Sequence, residues 1–311
     1  MPSSRRSFIS HSAFAVAGAS LAPAALLDAW QQAPAAPAAT PAVTPVFTAI
    51  RRNVGFFTGR GGTIGYLLAP GGVAVVDSQF PDSAALCLAG LNERSGRRPI
   101  DLLINTHHHG DHTGGNLAFK DATKRVVAHA TAAAHMKQPP GRPAPTAENL
   151  YPTETFTDTW SATLGDETIR ATFYGAAHTS GDAVITFQNA NVAHMGDLMF
   201  NGRHPVVDRP AGASLRNWMT VLERTVADHN ADTVYVFGHG GTNMPVTGSR
   251  AELLRMRDYL SALLDHARAE MKAGRSRDQI TTSTATLKGF EGHGPLNATV
   301  LSAAFDELSA G

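Results

Sequence analysis

The sequence predicts an α/β protein in which two β-sheets pack against each other with helices outside. Strand-like runs come in two consecutive blocks, and helical segments follow each block. A further observation marks where function lies. The apolar run Ile100 to Ile104 leads directly into Asn105-Thr106-His107-His108-His109-Gly110-Asp111-His112.

In the first block, Val46 to Ile50, Val54 to Thr58, Thr63 to Ala69 and Val73 to Asp77 read as strands. Gly59-Arg60-Gly61-Gly62 and Pro70-Gly71-Gly72 punctuate them as turns. A helix is expected from about Asp82, its N-cap, to Arg94, with Gly96 near the stop. The buried strand Ile100 to Asn105 then ends at the histidines. In the second block, Val126 to Ala128 is a short strand, Ala130 to Met136 a helix and Gln138 to Pro145 a Pro-rich surface loop. Thr153 to Trp160, Glu167 to Tyr174, Ala183 to Gln188 and Val192 to Met195 read as strands, Ser214 to Ala227 as a helix and Thr233 to Phe237 as a buried strand. From Arg250 to Ala273, Leu253, Leu254, Leu260, Leu263, Leu264 and Ala267 form one apolar helical stripe, with Gly274 as C-cap. Leu296 to Leu308 is the final predicted helix.

At 311 residues the chain can bury a large core in one or two domains. Its 26 basic and 26 acidic side chains cancel, so no overall field draws it to nucleic acid or anionic lipid. Cys87 is the single cysteine, which excludes a disulfide within the chain, and its neighbours Ala84 to Ala89 make it a small apolar helix residue. Residues 1–45 stand apart. Ser4-Arg5-Arg6-Ser7-Phe8-Ile9 and the mildly apolar stretch Ala13 to Leu27 resemble a twin-arginine export signal, and Gln31 to Pro45 is an Ala/Pro linker. The expectation is a periplasmic or secreted protein whose precursor meets the twin-arginine export machinery, with a folded body at 46–311. No later segment is long and apolar enough to span a bilayer.

Imidazole and carboxylate together suit zinc and other borderline divalent metals. Four such groups within six residues have little use in a core, because each must be desolvated and paired. His178, Asp197 and His239 each follow a strand-like run and adjoin glycine or another small residue. Seven ligands exceed one tetrahedral site and suit two metals that share a bridging carboxylate. In a loop after a strand, His107 and His109 can converge on one ion, while Asp111 and His112, further round the turn, face a second.

The pattern His107-x-His109-x-Asp111-His112, with His178, Asp197 in Met195-Gly196-Asp197 and His239 in Gly238-His239-Gly240, resembles the metallo-β-lactamase-fold hydrolases from about Val46 to Gly241. The resemblance implies an αββα four-layer sandwich with a dinuclear site at the sheet edge and a helical extension beyond. It implies that His107, His109 and His178 hold a first metal, that Asp111, His112 and His239 hold a second, and that Asp197 bridges them. Two Zn2+ ions are the implied cofactors, with iron or manganese as alternatives. One subclass of true metallo-β-lactamases carries cysteine at the position of Asp197 and another carries serine. The aspartate resembles instead the hydroxyacylglutathione hydrolases (glyoxalase II) and lactonases, which moves the expectation away from antibiotic resistance as the main role.

The expected chemistry is attack on an ester, thioester, lactone or β-lactam-like carbonyl of a small-molecule substrate by water that two cations have ionised. Asp111 is the expected catalytic residue, orienting the water and passing a proton to the leaving group. A non-haem iron oxidoreductase on the same scaffold and a periplasmic metal-binding relay protein without turnover stand as alternatives. Neutral charge and the lack of any basic module argue against a nuclease.

Around the cluster, Asp77 is either a hydrogen-bond acceptor for a ligand imidazole or the cluster loop, or a surface strand end. Asp182 reads as a turn former, His108 as pointing away from the metals and His194 as a packed residue. His129, His135, His229, His266 and His293 read as surface or helix-end residues. The loops Phe56 to Gly62 and Phe200 to Pro205 are expected to wall the site, with Asn201, Arg203 and His204 as candidate substrate contacts.

Overall fold

The computed structural model describes residues 43–310. The twin-arginine pattern and most of the linker therefore lie outside the described residues. Strands β1 (Val46–Arg51), β2 (Val54–Thr58), β3 (Ile64–Ala69) and β4 (Gly72–Val76) form an antiparallel meander. Helix α1 (Pro81–Ser95) crosses to β5 (Leu102–Asn105), α2 (Gly110–Thr113) is a single turn, and β6 (Val126–His129) and α3 (Ala130–Lys137) lead to β7 (Glu154–Phe156). From β4 to β7 the pairing is parallel, which completes a seven-stranded sheet in sequence order.

The second sheet is built from β8 (Thr159–Leu164), β9 (Glu167–Thr172), β10 (Val184–Phe187) and β11 (Val192–His194). After β12 (Phe200–Asn201) and α4 (Leu215–Asp228) it continues with β13 (Val234–Val236). Next come β14 (His239–Gly240), β15 (Thr247–Gly248), α5 (Arg250–Lys272), α6 (Arg277–Thr281) and α7 (Ala298–Ser309). The sheet order is β15-β13-β11-β10-β9-β8, and β12 and β14 pair in parallel by themselves.

Strand alternation sorts most of the core into three large apolar clusters. On β5, Leu102 and Ile104 face the second sheet, where Ile169, Ile185, Phe187, Val192 and Val236 meet them. Leu103, between them, faces outward and shares a cluster with Ala84, Cys87 and Leu91 of α1. In the other sheet Ala193 and Tyr235 point out to Trp218 of α4, Leu260 and Leu263 of α5, and Leu301 of α7. The result is the expected αββα sandwich. Burial pushes the Cys87 thiol well up, so it is no nucleophile. No helix among the described residues is long and apolar enough to cross a membrane.

Local readings differ at several points. The run Thr153 to Trp160 is two strands, β7 in the first sheet and β8 in the second, so the chain changes sheets inside what reads as one apolar segment. Helix α1 is capped at Phe80 with Pro81 at its first position; Asp82 instead pairs with Arg60. Helix α5 closes at Ala273, and Gly274, one residue on, takes the left-handed conformation. His129 is buried rather than superficial: it caps α3, donates to the Thr157 carbonyl and stacks on Phe173.

Candidate metal centre

The seven predicted side chains all meet at the C-terminal ends of central strands. His107 follows β5, and His109 is the N-cap of α2, the turn that presents Asp111 and His112. His178 lies in the loop between β9 and β10, Asp197 in a 3-10 turn after β11, and His239 opens β14 after β13. The pairing of Phe200 with His239 draws the last two segments together. Close approach needs glycine at Gly238, where a Cβ would fall 2.2 Å from the Asp197 carboxylate.

The groups divide into two quartets that share Asp197. One ligand atom each from His107, His109, His178 and Asp197 lies within 4.8 Å of the others, as does one each from Asp111, His112, Asp197 and His239. Asp197 Oδ2 lies 3.8 Å from His107 Nε2 and 3.6 Å from His178 Nε2. Its Oδ1 lies 2.9 Å from His112 Nε2 and 3.2 Å from His239 Nε2. Asp111 Oδ2 is 3.1 Å from His239 Nε2.

Hydrogen bonds on the outer edge of the imidazoles set which nitrogen faces inward. His178 Nδ1 donates to the Val206 carbonyl at 2.8 Å, and His109 Nε2 donates to Asp208 Oδ2 at 2.7 Å. Their inner nitrogens, His178 Nε2 and His109 Nδ1, are then two lone pairs facing each other at 2.9 Å. His112 Nδ1 donates to Asp77 Oδ2 at 2.7 Å, which turns His112 Nε2 toward His239 Nε2 at 3.3 Å. His107 Nε2 is buried with no hydrogen-bond partner. Acceptors aimed at acceptors, and a buried nitrogen left unpaired, are costly unless a cation lies among them. This donor set fits divalent metal.

The electrostatics agree. Burial, reinforced by the neighbouring His112, holds His107 well below the ordinary imidazole range, and burial lowers His178. Burial also opposes charge on His112, yet Asp197 and Asp77 outweigh it and hold His112 well above that range. Burial is likewise outweighed at His239, which Asp197 and Asp111 push up to about 9. Asp197 thus favours positive charge beside both rings, whether a proton or a metal ion supplies it.

Asp77 is buried, with a left-handed φ of 65°. Its Oδ1 accepts from the Thr106 amide and its Oδ2 from the Thr106 hydroxyl and His112. Asparagine and aspartate tolerate that conformation better than most residues. The choice left open for Asp77 is thus settled: it holds both an imidazole and the cluster loop. Asp182 accepts from the Thr179 amide and hydroxyl and shapes a turn. His194 spends both nitrogens, on the Thr63 carbonyl and the Gly196 amide, outside the cluster. The β2–β3 turn does overhang the site, since a Cβ on Gly62 would fall 2.1 Å from the His112 ring.

Three loop residues behave differently from expectation. His204 is occupied by the Tyr259 hydroxyl at 2.6 Å and the Pro295 carbonyl at 2.9 Å, a structural role rather than a free substrate contact. Asn201 and Arg203 line a cavity of about 670 Å³ with Gly240, Met244 and Arg255, but none of the seven cluster residues lines it. Asp208 has no forewarning in the sequence: no strand-like run precedes it, and its partner His109 is 99 residues away. His109 holds Asp208 down to about 2 against the effect of burial. His108 does point away from the cluster, toward Asp208, with Nε2 3.8 Å from its Oδ2.

A family profile described as the metallo-beta-lactamase superfamily matches residues 58–259. A metallo-beta-lactamase type 2 of Bacillus cereus is 23% identical over 214 residues, 68% of this chain and 78% of that protein. A hydroxyacylglutathione hydrolase of Cereibacter sphaeroides is 42% identical over 71 residues, 23% of this chain and 26% of that protein. Among solved structures, a metallo-beta-lactamase from Pontibacter korlensis superposes with a TM-score of 0.59 at 18% identity, covering 70% of this chain and 99% of that one.

Proposed function

The chain belongs to the metallo-beta-lactamase superfamily, and from that premise we propose that it is a dinuclear zinc hydrolase acting on a small carbonyl ester, thioester, lactone or β-lactam-like substrate. The observation that carries this reading is the division of Asp197, with one oxygen turned to His107 and His178 and the other to His112 and His239. In this reading His107, His109 and His178 hold one ion, Asp111, His112 and His239 the other, and Asp197 spans both. Two divalent cations held there would supply Lewis acidity, lowering the pKa of water and drawing charge from a carbonyl oxygen.

The protein's own groups supply orientation and proton transfer. Asp111 is the most exposed of the seven, its side chain 29% accessible, so it faces whatever enters. Its carboxylate can orient a water toward the carbonyl carbon, take the proton released on attack and deliver it to the departing oxygen, sulfur or nitrogen. Asp77 and Val206 keep His112 and His178 in single tautomers, so no side chain need reorganise as charge develops. Aspartate at position 197 and the likeness to a hydroxyacylglutathione hydrolase favour an ester or thioester over a lactam.

Metal analysis of the purified protein should find two zinc ions per chain. Hydrolysis of a panel of esters, thioesters, lactones and lactams should be lost on chelation and restored by zinc. Iron together with oxygen uptake would replace this reading with an oxidoreductase, and a metal-loaded protein inert on the whole panel would replace it with a metal-binding relay.

We further propose that the protein works outside the cytoplasm. Arg5-Arg6 ahead of an apolar stretch supports export through the twin-arginine route, which carries proteins already folded around their metal. Replacing both arginines by lysine should hold the full chain in the cytoplasm on cell fractionation; unaltered export would remove this part of the proposal.

A further inference from the structure

The segment after β12 passes behind the cluster and touches two of its imidazoles from outside. The Val206 carbonyl accepts from His178 Nδ1, and two residues later Asp208 Oδ2 accepts from His109 Nε2. Both rings belong to the quartet assigned above to the first ion; His112, in the other quartet, is held instead by Asp77. The segment is laced to the His178 loop by main-chain bonds from Asp208 N to His178 O, from Ser180 N to Ala211 O and from Ser214 N to Ala177 O. Its far side is anchored to α7. The buried Glu307 carboxylate accepts from Arg209, from the Ser214 hydroxyl at 2.9 Å and from the Arg216 amide at 3.2 Å.

We propose that Asp208 is a positioning residue for the first metal position alone, acting through His109, and that α7 holds it there through Glu307. The inference rests on the reading that His109 binds a metal. A carboxylate hydrogen-bonded to the outer nitrogen of a ligand imidazole fixes the tautomer, orients the ring and raises its basicity. Removing it weakens the ion that ring holds and leaves an ion held by other rings untouched. The C-terminal helix, far from the cluster in sequence, thereby sets how tightly one of two ions is kept.

Asparagine at position 208 separates this role from a purely structural one. Its amide oxygen can still accept from the Ala211 amide, as Asp208 Oδ1 does at 3.2 Å, so the turn keeps its cap while the carboxylate that faces His109 Nε2 is lost. Zinc affinities are to be measured by competition with a chromophoric chelator on the full protein. Cobalt-substituted samples add absorption spectra that report coordination, and the unfolding transition of the ion-free protein serves as control.

Asp208→Asn should weaken one of two ions by about 10–100-fold, alter the cobalt spectrum and leave the ion-free protein unfolding in one cooperative transition. Asp77→Asn should weaken the other ion most, and the double variant should lose affinity for both. Glu307→Gln should move the same ion as Asp208→Asn, by less. A wild-type protein that binds two ions, with Asp208→Asn keeping both wild-type affinities, overturns the positioning role while leaving the proposed function intact. Unchanged affinity in Glu307→Gln overturns the anchoring by α7. A wild-type protein that binds no metal overturns the functional reading itself, and this inference with it.

Discussion

Asp197→Ala should lower hydrolysis by at least about 10³-fold, because it removes the one carboxylate that faces both quartets and with it the preorganised charge the reaction depends on. No other residue of the cluster has this effect on both halves, since each histidine and Asp111 belongs to a single quartet. On the proposed dinuclear zinc reading, metal content should fall from two ions to one or none per chain. The loss is chemical rather than structural: the rings that Asp197 faces keep their outer partners, since His112 still donates to Asp77 and His178 to the Val206 carbonyl. A chelator titration, zinc analysis and a thermal melt on the same sample check this. An alanine variant that keeps two ions and wild-type turnover would remove Asp197 from the mechanism.

The largest effect on stability is expected at Trp218. Its indole is fully buried in the cluster formed by the second sheet and α4, α5 and α7, and its Nε1 donates to the Leu198 carbonyl at 3.0 Å. Trp218→Ala should cost about 3–5 kcal/mol for the lost contacts and the cavity. Leaving the Leu198 carbonyl unpaired adds about 1–3 kcal/mol. Trp218→Phe keeps most of the bulk and isolates the hydrogen bond, so its cost should be the smaller. Denaturant unfolding with an unchanged m-value reads both. Leu198 follows Asp197, and the Trp218 ring lies 5.8 Å from that of His178, so the alanine variant should also bind zinc more weakly. A Trp218→Ala protein within about 1 kcal/mol of wild type would show that this packing carries no such weight.

How far the site could be read along the chain depended on how local each relationship is. His107, His109, Asp111 and His112 fall on one strand end and one turn, so their convergence follows from backbone geometry alone. His178, Asp197 and His239 were distinguishable because each follows a strand-like run. Asp208 and Glu307 were not. Asp208 sits in an irregular segment, and Glu307 falls on the face of α7 that carries Val300, Ala303 and Ala304, where nothing in the sequence marks a partner for a carboxylate. Burial of Glu307 follows from Arg209, Ser214 and the Arg216 amide closing over it. The run Thr153 to Trp160 was misjudged for a related reason: strand propensity registers an extended backbone but is silent on which sheet it joins.

Composition and periodicity by themselves determined the layering, since alternating and continuous apolar runs must be buried on one face or two whatever their partners. The identity of the ligand atoms, the tautomers and the division of labour on Asp197 were decided only by tertiary structure. These depend on hydrogen bonds between residues tens of positions apart, such as His109 to Asp208 and His112 to Asp77. A hydrogen bond is short-ranged and directional, so it exists only once the sheets have docked and brought donor and acceptor within about 3 Å.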